Sequence, residues 1–514
     1  MNIANITAKW RAEAPHRTAI IDIANDRRIT FGELDLRVRR LANALARRGL
    51  SKGARIAVLA KNSIEYFEIY FACARAGYIT QPLNWRLGVL ELTRILRDGE
   101  PCAMITADEF RESRVALERV LDVALWAEFG AESDGSYAAL VASGEAEESA
   151  ATVGDHDPTL ILYTGGTTGD SKGALHSHQS LFMGMLNQTV AERIVPSDVY
   201  MLTGQMFHIP VALAMNYMAH GCPVVLVNFE AKQALEIIEA ERVSSFLGIT
   251  TMLNWMMAVE GFSRYNLASL RNIQYGGGPM PATVVKAALE SFPCTLIQGY
   301  GQTEGMTMTF LSQEDHRAAI AGRHPERLAS CGRAGFVTRV EIQDEQGACV
   351  PRDGRTPGEI CIRSEANMVG YWRKPELTAQ TFRNGWMRTG DIAVWDVDGY
   401  VFIVDRAKDM IISGAENIYS TQVEAAIHQH TGVLEAAVIG VPDDEWGEAV
   451  KAIVVMKPGH TATAQDIIDT AKRHLASYMK PRSVEFVATL PKAPTGKILK
   501  RSLREPYWQG RRPI

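Results

Sequence analysis

The sequence predicts a large N-terminal α/β domain with mostly parallel sheets and a barrel-like subdomain, followed by a small α+β C-terminal domain. Three observations support this prediction. Short apolar runs alternate with amphipathic stretches between residues 54 and 300, turn signals separate short strands between 340 and 404, and the pattern changes again after residue 405. The 514 residues also exceed the length of a single ordinary domain, which is about 100 to 200 residues.

The first region has the pattern of βαβ units. Runs such as IAVLA (56–60) and TLILY (159–163) are continuously apolar, which is typical of parallel strands that are covered on both faces. In the stretch KQALEIIEAERV, Ala234, Leu235 and Ile238 recur at helical spacing. This is the pattern of a helix that covers a sheet with one apolar face.

The last two regions differ from the first and from each other. The turn signals DEQG, PRDG, TPGE and DVDG favour an antiparallel or barrel-like subdomain. The region after Asp405 predicts helices over 422–430 and 465–478 and the strands VLEAAVIGV, AVKAIVVM and SVEFVATL. We therefore expect an N-terminal domain over 1–405 and a C-terminal domain over 406–514.

Composition excludes several classes of protein. The 59 acidic and 54 basic residues are spread along the chain, so no nucleic-acid partner is expected. The seven cysteines never form a CxxC pattern, which argues against a disulfide framework or a zinc site and favours a reducing cytoplasm. The N-terminus lacks the apolar core of a signal peptide, and no apolar run approaches the roughly 20 residues of a membrane span.

The segment YTGGTTGDSKG (163–173) follows a predicted buried strand and is suited to hold phosphates. Glycines let the backbone approach a ligand, successive N–H groups form an anion nest, and hydroxyl and ammonium groups donate to phosphate oxygens. It is not a Walker A loop, because Ser171 precedes Lys172 and Gly173 follows it. A tight turn without a ligand is the alternative. The candidate phosphate-binding residues are Thr164, Gly165, Gly166, Thr167, Thr168, Gly169 and Lys172.

From this segment onward the chain resembles the adenylate-forming superfamily, which includes acyl-CoA synthetases, aryl-CoA ligases, luciferases and adenylation domains of peptide synthetases. The phosphate loop of that family reads YTSGTTGxPKG, so this chain departs from it at Gly165 and Ser171. Further motifs follow in the family's order: GGGPM (276–280), GYGQTEG (299–305), WMRTGD (386–391), DRAKDMIISGAENIYS (405–420) and PKAPTGKILKR (491–501). An ordered set of this kind is hard to obtain by chance.

The resemblance implies a nucleotide site and a magnesium site. Glu304 and Thr164 would hold the ion, Tyr300 would stack near adenine, and Thr303 would contact the α-phosphate. A hard cation prefers carboxylate oxygen, and neutralised phosphate oxygens make the α-phosphorus easier to attack. The nucleotide-binding residues implied by the two glycine-rich motifs are Gly278, Pro279, Gly299, Tyr300, Gly301 and Thr303.

The C-terminal motifs imply a ribose site and a small mobile domain. Asp391 and Arg406 match the residues that bind ribose, and Lys408 lies at the hinge about which the small domain swings. Gly414 and Ala415 fall in the loop that lines the thiol channel, where the family has glycine in place of Ala415. We expect the channel to accommodate this one methyl group.

Besides Glu304, two further residues are implied to be catalytic. Lys497 matches the lysine that bridges the carboxylate and the α-phosphate, where a positive group lowers the repulsion between two anions. His208, in MFHIP, matches a histidine between the acyl pocket and the pantetheine channel. Outside their motifs, a surface lysine and a core histidine would be the expected interpretations.

The sequence therefore predicts an ATP-dependent ligase that forms an acyl-adenylate from a carboxylic acid and transfers the acyl group to coenzyme A. Coenzyme A is favoured because no carrier domain follows in this sequence, and the apolar segment FLGITTML (246–253) favours a medium- or long-chain fatty acid or an aryl acid. A separate carrier protein as acceptor, a luciferase-like oxygenase and a catalytically silent nucleotide-binding module are the alternatives. A homodimer is compatible with the sequence.

Overall fold

The structure is a computed structural model that describes residues 2–164, 171–278, 280–413, 416–492 and 498–509. The chain divides into two compact units. The first contains the residues up to Val340 together with Ile362–Met387, and the second contains Glu341–Cys361 together with the residues from Arg388 onward. The predicted boundary between residues 405 and 406 concerns a hinge motion and stays a prediction.

The helices and strands follow each other along the whole described chain. The helices are α1 Asn5–Glu13, α2 Phe31–Arg47, α3 Ile64–Ala76, α4 Val89–Gly99, α5 Arg111–Glu118, α6 Ser136–Ser143, α7 His178–Glu192, α8 Pro210–Ala219, α9 Ala231–Ala240, α10 Thr250–Met257, α11 Ala282–Ser291, α12 Gln313–Ile320, α13 Pro375–Thr381, α14 Ser420–Ile427, α15 Ala464–His474 and α16 Lys500–Trp508. The strands are β1 Thr18–Asp22, β2 Arg27–Thr30, β3 Arg55–Leu59, β4 Ile79–Pro82, β5 Ala103–Ala107, β6 Leu125–Phe129, β7 Pro158–Thr164, β8 Lys172–Ser177, β9 Tyr200–Leu202, β10 Val224–Leu226, β11 Ser245–Leu247, β12 Asn272–Gly276, β13 Thr295–Gln302, β14 Met306–Leu311, β15 Arg333–Ala334, β16 Thr338–Gln343, β17 Gly358–Ser364, β18 Gly370–Tyr371, β19 Phe382–Arg383, β20 Trp386–Trp395, β21 Val401–Arg406, β22 Ile411–Ser413, β23 Glu416–Ile418, β24 Val433–Asp443, β25 Gly447–Met456 and β26 Ser483–Phe486.

The first unit contains two large sheets. Counted over the described residues, one has nine strands in the order β15-β14-β13-β12-β11-β9-β10-β1-β2, and the other has seven in the order β18-β8-β7-β4-β3-β5-β6. The central neighbours in both sheets run parallel. Antiparallel strands are confined to the ends. The predicted α/β domain with mostly parallel sheets is confirmed.

Helix α3 lies in the interior of the first unit. All of its residues are buried, including the charged residues Glu65, Glu68 and Arg75. It begins at the cap residue Ser63 and ends at Gly77, whose φ of +73° suits glycine. Its one fully buried carboxylate, Glu68, accepts hydrogen bonds from Arg37 and, at 2.7 Å, from the Tyr137 hydroxyl. The buried charge is thus paired, which a protein interior requires.

The remaining strands form two smaller sheets. One has the order β16-β17-β20-β19 with β21 beside β20, and the other has the order β23-β22-β25-β24 with β26 beside β25. The latter sheet and the helices α14 and α15 enclose a separate apolar core that includes Val423, Val438 and Ile467. The predicted small C-terminal domain of helices and strands is confirmed.

Helix α14 covers Ser420–Ile427 rather than the predicted residues 422–430. Two further C-terminal elements are also shorter than predicted. Helix α15 ends at His474 rather than at residue 478, because Leu475 adopts an extended conformation after a last turn rich in basic residues. Strand β26 ends at Phe486, since its parallel pairing with β25 extends only over Ser483–Phe486. Apolar patterning alone does not mark either end.

A buried carboxyl group lies at the end of α7. Glu192 accepts a hydrogen bond from the Tyr217 hydroxyl at 2.6 Å on one oxygen, whereas its other oxygen has no partner. Burial raises the pKa of Glu192 to about 8, although the Tyr217 hydroxyl and the nearby charge of Arg271 act in the opposite direction. Asp198, which also faces it, is paired with Arg271 at 2.6 Å. At neutral pH Glu192 therefore holds a proton in the folded protein.

We predict that stability falls as the pH rises from about 4.5 to about 8, because the folded pKa of Glu192 lies above its ordinary value of 4.5. Glu192→Gln removes this ionisation and keeps an acceptor for Tyr217. The variant should exceed the wild type in free energy of unfolding by roughly 1–3 kcal/mol at pH 8 and above. Urea unfolding between pH 5 and 9 measures this, with exposed Glu290→Gln as the control. Identical pH profiles for Glu192→Gln and the wild type would contradict the prediction.

Candidate active site

Glu304 lies in the tight turn that joins β13 to β14. The strands pair up to Gln302 and Met306, so that residues 303–305 form the turn. A β-carbon at Gly301 would lie 1.9 Å from the Met306 carbonyl oxygen, so only glycine fits there. Met306 itself has a φ of +58°, which is uncommon for a residue with a side chain. Backbone strain of this kind is often found at functional sites.

The Glu304 carboxylate contacts two side chains from the other large sheet. Lys172 Nζ lies 3.3 Å from Glu304 Oε1, and the Tyr371 hydroxyl donates a hydrogen bond of 2.6 Å to the same oxygen. Lys172 Nζ also donates to the Tyr371 hydroxyl. Glu304 is buried, and a carboxylate there requires this compensation. The structure thus brings together the predicted residues Lys172 and Glu304.

Strand β8 carries Lys172 and brings it close to residues of the two neighbouring strands. Thr164, at the end of β7, pairs in register with Lys172 and donates to its carbonyl oxygen at 3.5 Å. On the other side, Tyr371 in β18 pairs in register with Ala174. Alternation along a strand places Lys172, Ala174 and His176 on one face of β8. Three strands therefore deliver Thr164, Lys172 and Tyr371 to one place.

His176 links β8 to the predicted α-phosphate contact Thr303. Its Nε2 donates to the Thr303 carbonyl oxygen at 2.7 Å, and its Nδ1 lies 3.1 Å from the Ser180 hydroxyl. Burial lowers the pKa of His176, so its ring is neutral. Sequence reasoning missed both His176 and Tyr371. The alternation along β8 could have identified His176, whereas Tyr371 is 199 residues from Lys172 and has no local signal.

The predicted adenine-binding residues lie where two parallel strands end. Gly276, the last residue of β12, pairs with Gly299 of β13, and a β-carbon at Gly276 would lie 2.2 Å from the Gly299 carbonyl oxygen. Gly278 follows β12 and is exposed, while Tyr300 follows Gly299 and is almost fully buried. The carboxyl ends of parallel strands are the usual ligand site in α/β sheets.

His208 lies in the first unit on the segment between β9 and α8. Asn62 holds this segment by donating to the Gly204 carbonyl at 2.8 Å and accepting from the Met206 amide at 2.9 Å. Tyr70 donates to the Met206 carbonyl oxygen at 2.7 Å. Burial lowers the pKa of His208, while the charge of Glu304 acts in the opposite direction. The imidazole is therefore neutral and within electrostatic reach of Glu304.

Asp391 and Arg406 form an ion pair in the second unit. They face each other in the antiparallel pair β20 and β21, and Arg406 Nε lies 2.7 Å from Asp391 Oδ1. The Asp391 side chain is 3% exposed and that of Arg406 is 37% exposed. Gly390, with a φ of +73°, accepts from the Ala407 amide and keeps the two strands together. A buried carboxylate and a solvent-facing guanidinium are thus fixed side by side.

The C-terminal helix α16 is anchored within the second unit by Lys500 and Arg504. Lys500 Nζ lies 2.7 Å from Glu424 Oε1 and donates to the Ser420 hydroxyl at 2.6 Å. Ser420 in turn donates to the buried carboxylate of Asp405 at 2.7 Å, next to Arg406. Arg504 donates to the carbonyl oxygen of Lys408, the predicted hinge residue, at 3.3 Å. Lys500 and Arg504 are further residues that sequence reasoning missed.

Several predicted site residues lie outside the described residues and stay predictions. They are Gly165, Gly166, Thr167, Thr168 and Gly169 of the phosphate loop, Pro279, Gly414, Ala415 and Lys497. Among the described side chains, no three of histidine, cysteine, aspartate and glutamate come together as a ready-made metal cage. No helix in the described part of the chain is both long and apolar enough to cross a membrane.

Comparison with known families now decides the class of protein. The profile of the AMP-binding enzymes matches residues 7–372, and the profile of the AMP-binding enzyme C-terminal domain matches residues 422–497. The chain belongs to the AMP-binding enzyme family. It is an AMP-forming acid–thiol ligase, and the resemblance inferred from the motifs is confirmed.

Relatives of this AMP-binding enzyme match it over nearly its whole length. A feruloyl-CoA synthase of Amycolatopsis sp is 36% identical over 500 residues, which cover 96% of each chain. A fatty acid–[acyl-carrier-protein] ligase, ScoC, of Streptomyces coeruleorubidus is 34% identical and matches 98% of this chain and 96% of its own. The solved structure of a Mycobacterium tuberculosis fatty acyl CoA synthetase is 31% identical, with a TM-score of 0.81 and 99% of each chain covered. All three are named as enzymes that join an acyl group to coenzyme A or to an acyl-carrier protein.

We predict that Lys500→Met destabilises the second unit by roughly 1–3 kcal/mol, because Glu424 and Ser420 lose a buried partner. Burial already raises the pKa of Glu424 and Lys500 opposes this rise, so Glu424 should take up a proton more readily in the variant. Thermal unfolding measures the effect. Lys492→Met breaks the exposed pair with Glu435 and should cost less than about 1 kcal/mol. Equal effects of the two substitutions would contradict the prediction.

Proposed function

We propose that this enzyme activates a medium- or long-chain fatty acid or an aryl acid as its acyl-adenylate and transfers the acyl group to coenzyme A. The observation that carries the proposal is the partly buried contact of Lys172 with Glu304 beside the end of β7. This contact places a carboxylate beside Lys172, one of the predicted phosphate-binding residues. A polyphosphate and its magnesium ion need partners of these two signs.

The donor groups around Glu304 fit a magnesium ion that is bound together with ATP. Mg²⁺ prefers oxygen ligands and is commonly held by one or two carboxylates together with substrate phosphates and water. Glu304 supplies the carboxylate and Thr164 supplies a hydroxyl in the same region. In the bound state the ion would neutralise phosphate charge, while Lys172 would donate to a phosphate oxygen and Thr303 would face the α-phosphate.

We assign the nucleoside of ATP to the residues that the resemblance implied. Tyr300, with Gly278 and Gly299, would contact adenine, and the Asp391 carboxylate would accept hydrogen bonds from both ribose hydroxyls. Arg406, whose Nε lies 2.7 Å from Asp391 Oδ1, would contact the same ribose. Gly301 is required by the turn itself, so its role is to position Glu304.

The proposed chemistry has two steps. A carboxylate oxygen attacks the α-phosphorus and pyrophosphate leaves, after which a thiol attacks the carbonyl of the mixed anhydride and AMP leaves. Lys497 would offset the repulsion between the two anions in the first step. His208, which is neutral, would face the reacting carboxyl group, and Gly414 and Ala415 would line the path of the thiol.

The acid and the acceptor are supported to different extents. One relative is named for an aryl acid and two for fatty acids, which supports an apolar acyl pocket near α10, where Leu253 and Met256 are buried. The name of ScoC supports an acyl-carrier protein as the second candidate acceptor. No disulfide joins the cysteines in the described structure, which agrees with the proposed reducing cytoplasm. A homodimer stays a prediction.

A screen of carboxylic acids for AMP release tests the proposal. We predict release with fatty acids of medium or long chain or with aryl acids, stimulated by coenzyme A and accompanied by equal amounts of pyrophosphate and acyl-CoA. Acetate should be a poor substrate. AMP release that requires acyl-carrier protein and is not stimulated by coenzyme A would favour the carrier protein as the acceptor. No AMP release with any acid would contradict both candidate acceptors.

Lys497→Ala separates the two steps. We predict that it lowers acid-dependent pyrophosphate exchange by about 100- to 1,000-fold, the usual effect of removing one preorganised donor. Thioester formation from a premade acyl-adenylate should be largely spared. Lys492→Ala, five residues away and paired with Glu435, serves as the control. Undiminished exchange in Lys497→Ala would refute the assignment of this lysine.

A further inference from the structure

The Tyr371 hydroxyl lies between the two charged groups assigned to MgATP. It accepts a hydrogen bond from Lys172 Nζ and donates one of 2.6 Å to Glu304 Oε1, the oxygen that lies 3.3 Å from Lys172 Nζ. Its single hydroxyl hydrogen is therefore used on the carboxylate. The proposed function uses Lys172 and Glu304 but assigns nothing to Tyr371.

The fold fixes the ring of Tyr371 independently of these two partners. Its backbone amide donates to the Thr378 hydroxyl at 2.9 Å, and Thr378 Oγ1 donates at 2.9 Å to the carbonyl oxygen of Lys374, one turn earlier. The side chain is 6% exposed and packs against Ala174 and Met368.

Lys172 and a magnesium ion cannot both supply the positive charge beside the Glu304 carboxylate. In the arrangement described here Lys172 supplies the positive charge beside the carboxylate. When MgATP binds, the ion needs a carboxylate oxygen and the phosphates need the ammonium group. Lys172 must then exchange its partner, whereas a neutral hydroxyl can remain on Glu304 without competing with the ion for charge.

We propose that Tyr371 is a positioning residue that keeps the Glu304 carboxylate oriented for Mg²⁺ while Lys172 moves from Glu304 to a phosphate oxygen. This inference rests on one part of the proposed function, namely that the enzyme binds ATP together with Mg²⁺. Tyr371 touches neither the acid nor the thiol in this role. Loss of the Tyr371 hydroxyl should therefore change how strongly Mg²⁺ tightens nucleotide binding.

Calorimetric binding of the α,β-methylene analogue of ATP tests the role, with Mg²⁺ and with EDTA in its place. In the wild type Mg²⁺ should tighten binding of the analogue. Tyr371→Phe keeps the ring and should reduce this tightening by about tenfold, the usual worth of a hydrogen bond to a charged group. Binding in EDTA should change less than about twofold. Tyr78→Phe, which removes a hydroxyl bonded to the Leu50 carbonyl elsewhere in the first unit, should change neither value.

A double variant adds a second measurement. Glu304→Gln should itself remove most of the Mg²⁺ effect, and adding Tyr371→Phe to it should cause no further loss, since the hydroxyl acts through the carboxylate. Equal weakening of Tyr371→Phe with and without Mg²⁺, additive losses in the double variant, or no effect of Mg²⁺ on the wild type would each overturn the inference. Failure of the proposed function would look different, because the acid screen would give no AMP while this ion-dependent binding persisted.

Discussion

The ion pair between Lys172 and Glu304 is the interaction on which the first unit's site depends. Lys172 begins β8 of the seven-stranded sheet, whereas Glu304 lies in the turn after β13 of the nine-stranded sheet. The buried Glu304 carboxylate requires further hydrogen bonds, and the Tyr371 hydroxyl makes one of them. The two sheets are therefore joined by a charged contact at the place where we propose that the phosphates of ATP bind.

Other features of the site follow from this contact. The turn must present Glu304 within reach of Lys172, which requires glycine at 301 and a left-handed conformation at Met306. The His176 ring secures the same turn through the Thr303 carbonyl oxygen. In the second unit a different pair, Asp391 and Arg406, fixes a carboxylate on adjacent strands. Each unit thus contains a carboxylate that is held by a cation.

Much of this could be predicted from the sequence, for reasons that are local. Continuous apolar runs such as TLILY predicted β7, and the glycine-rich motifs pointed to residues that lie at the carboxyl ends of β12 and β13. Tyr371 and Lys500 could not be predicted, because their partners lie 199 and 80 residues away and are set by strand pairing and helix packing. The ends of α15 and β26 depend on neighbours rather than on apolar pattern. Lys497 and Ala415 stay predictions of the motifs alone.

The most direct test of the adenylation chemistry follows an isotope from the acid. An accepted acid labelled with ¹⁸O in its carboxyl group is converted with MgATP and coenzyme A, and the products are analysed by mass spectrometry. Attack by the carboxylate oxygen on the α-phosphorus predicts one ¹⁸O atom in AMP and none in pyrophosphate. Label in pyrophosphate, or AMP without label, would contradict an acyl-adenylate intermediate.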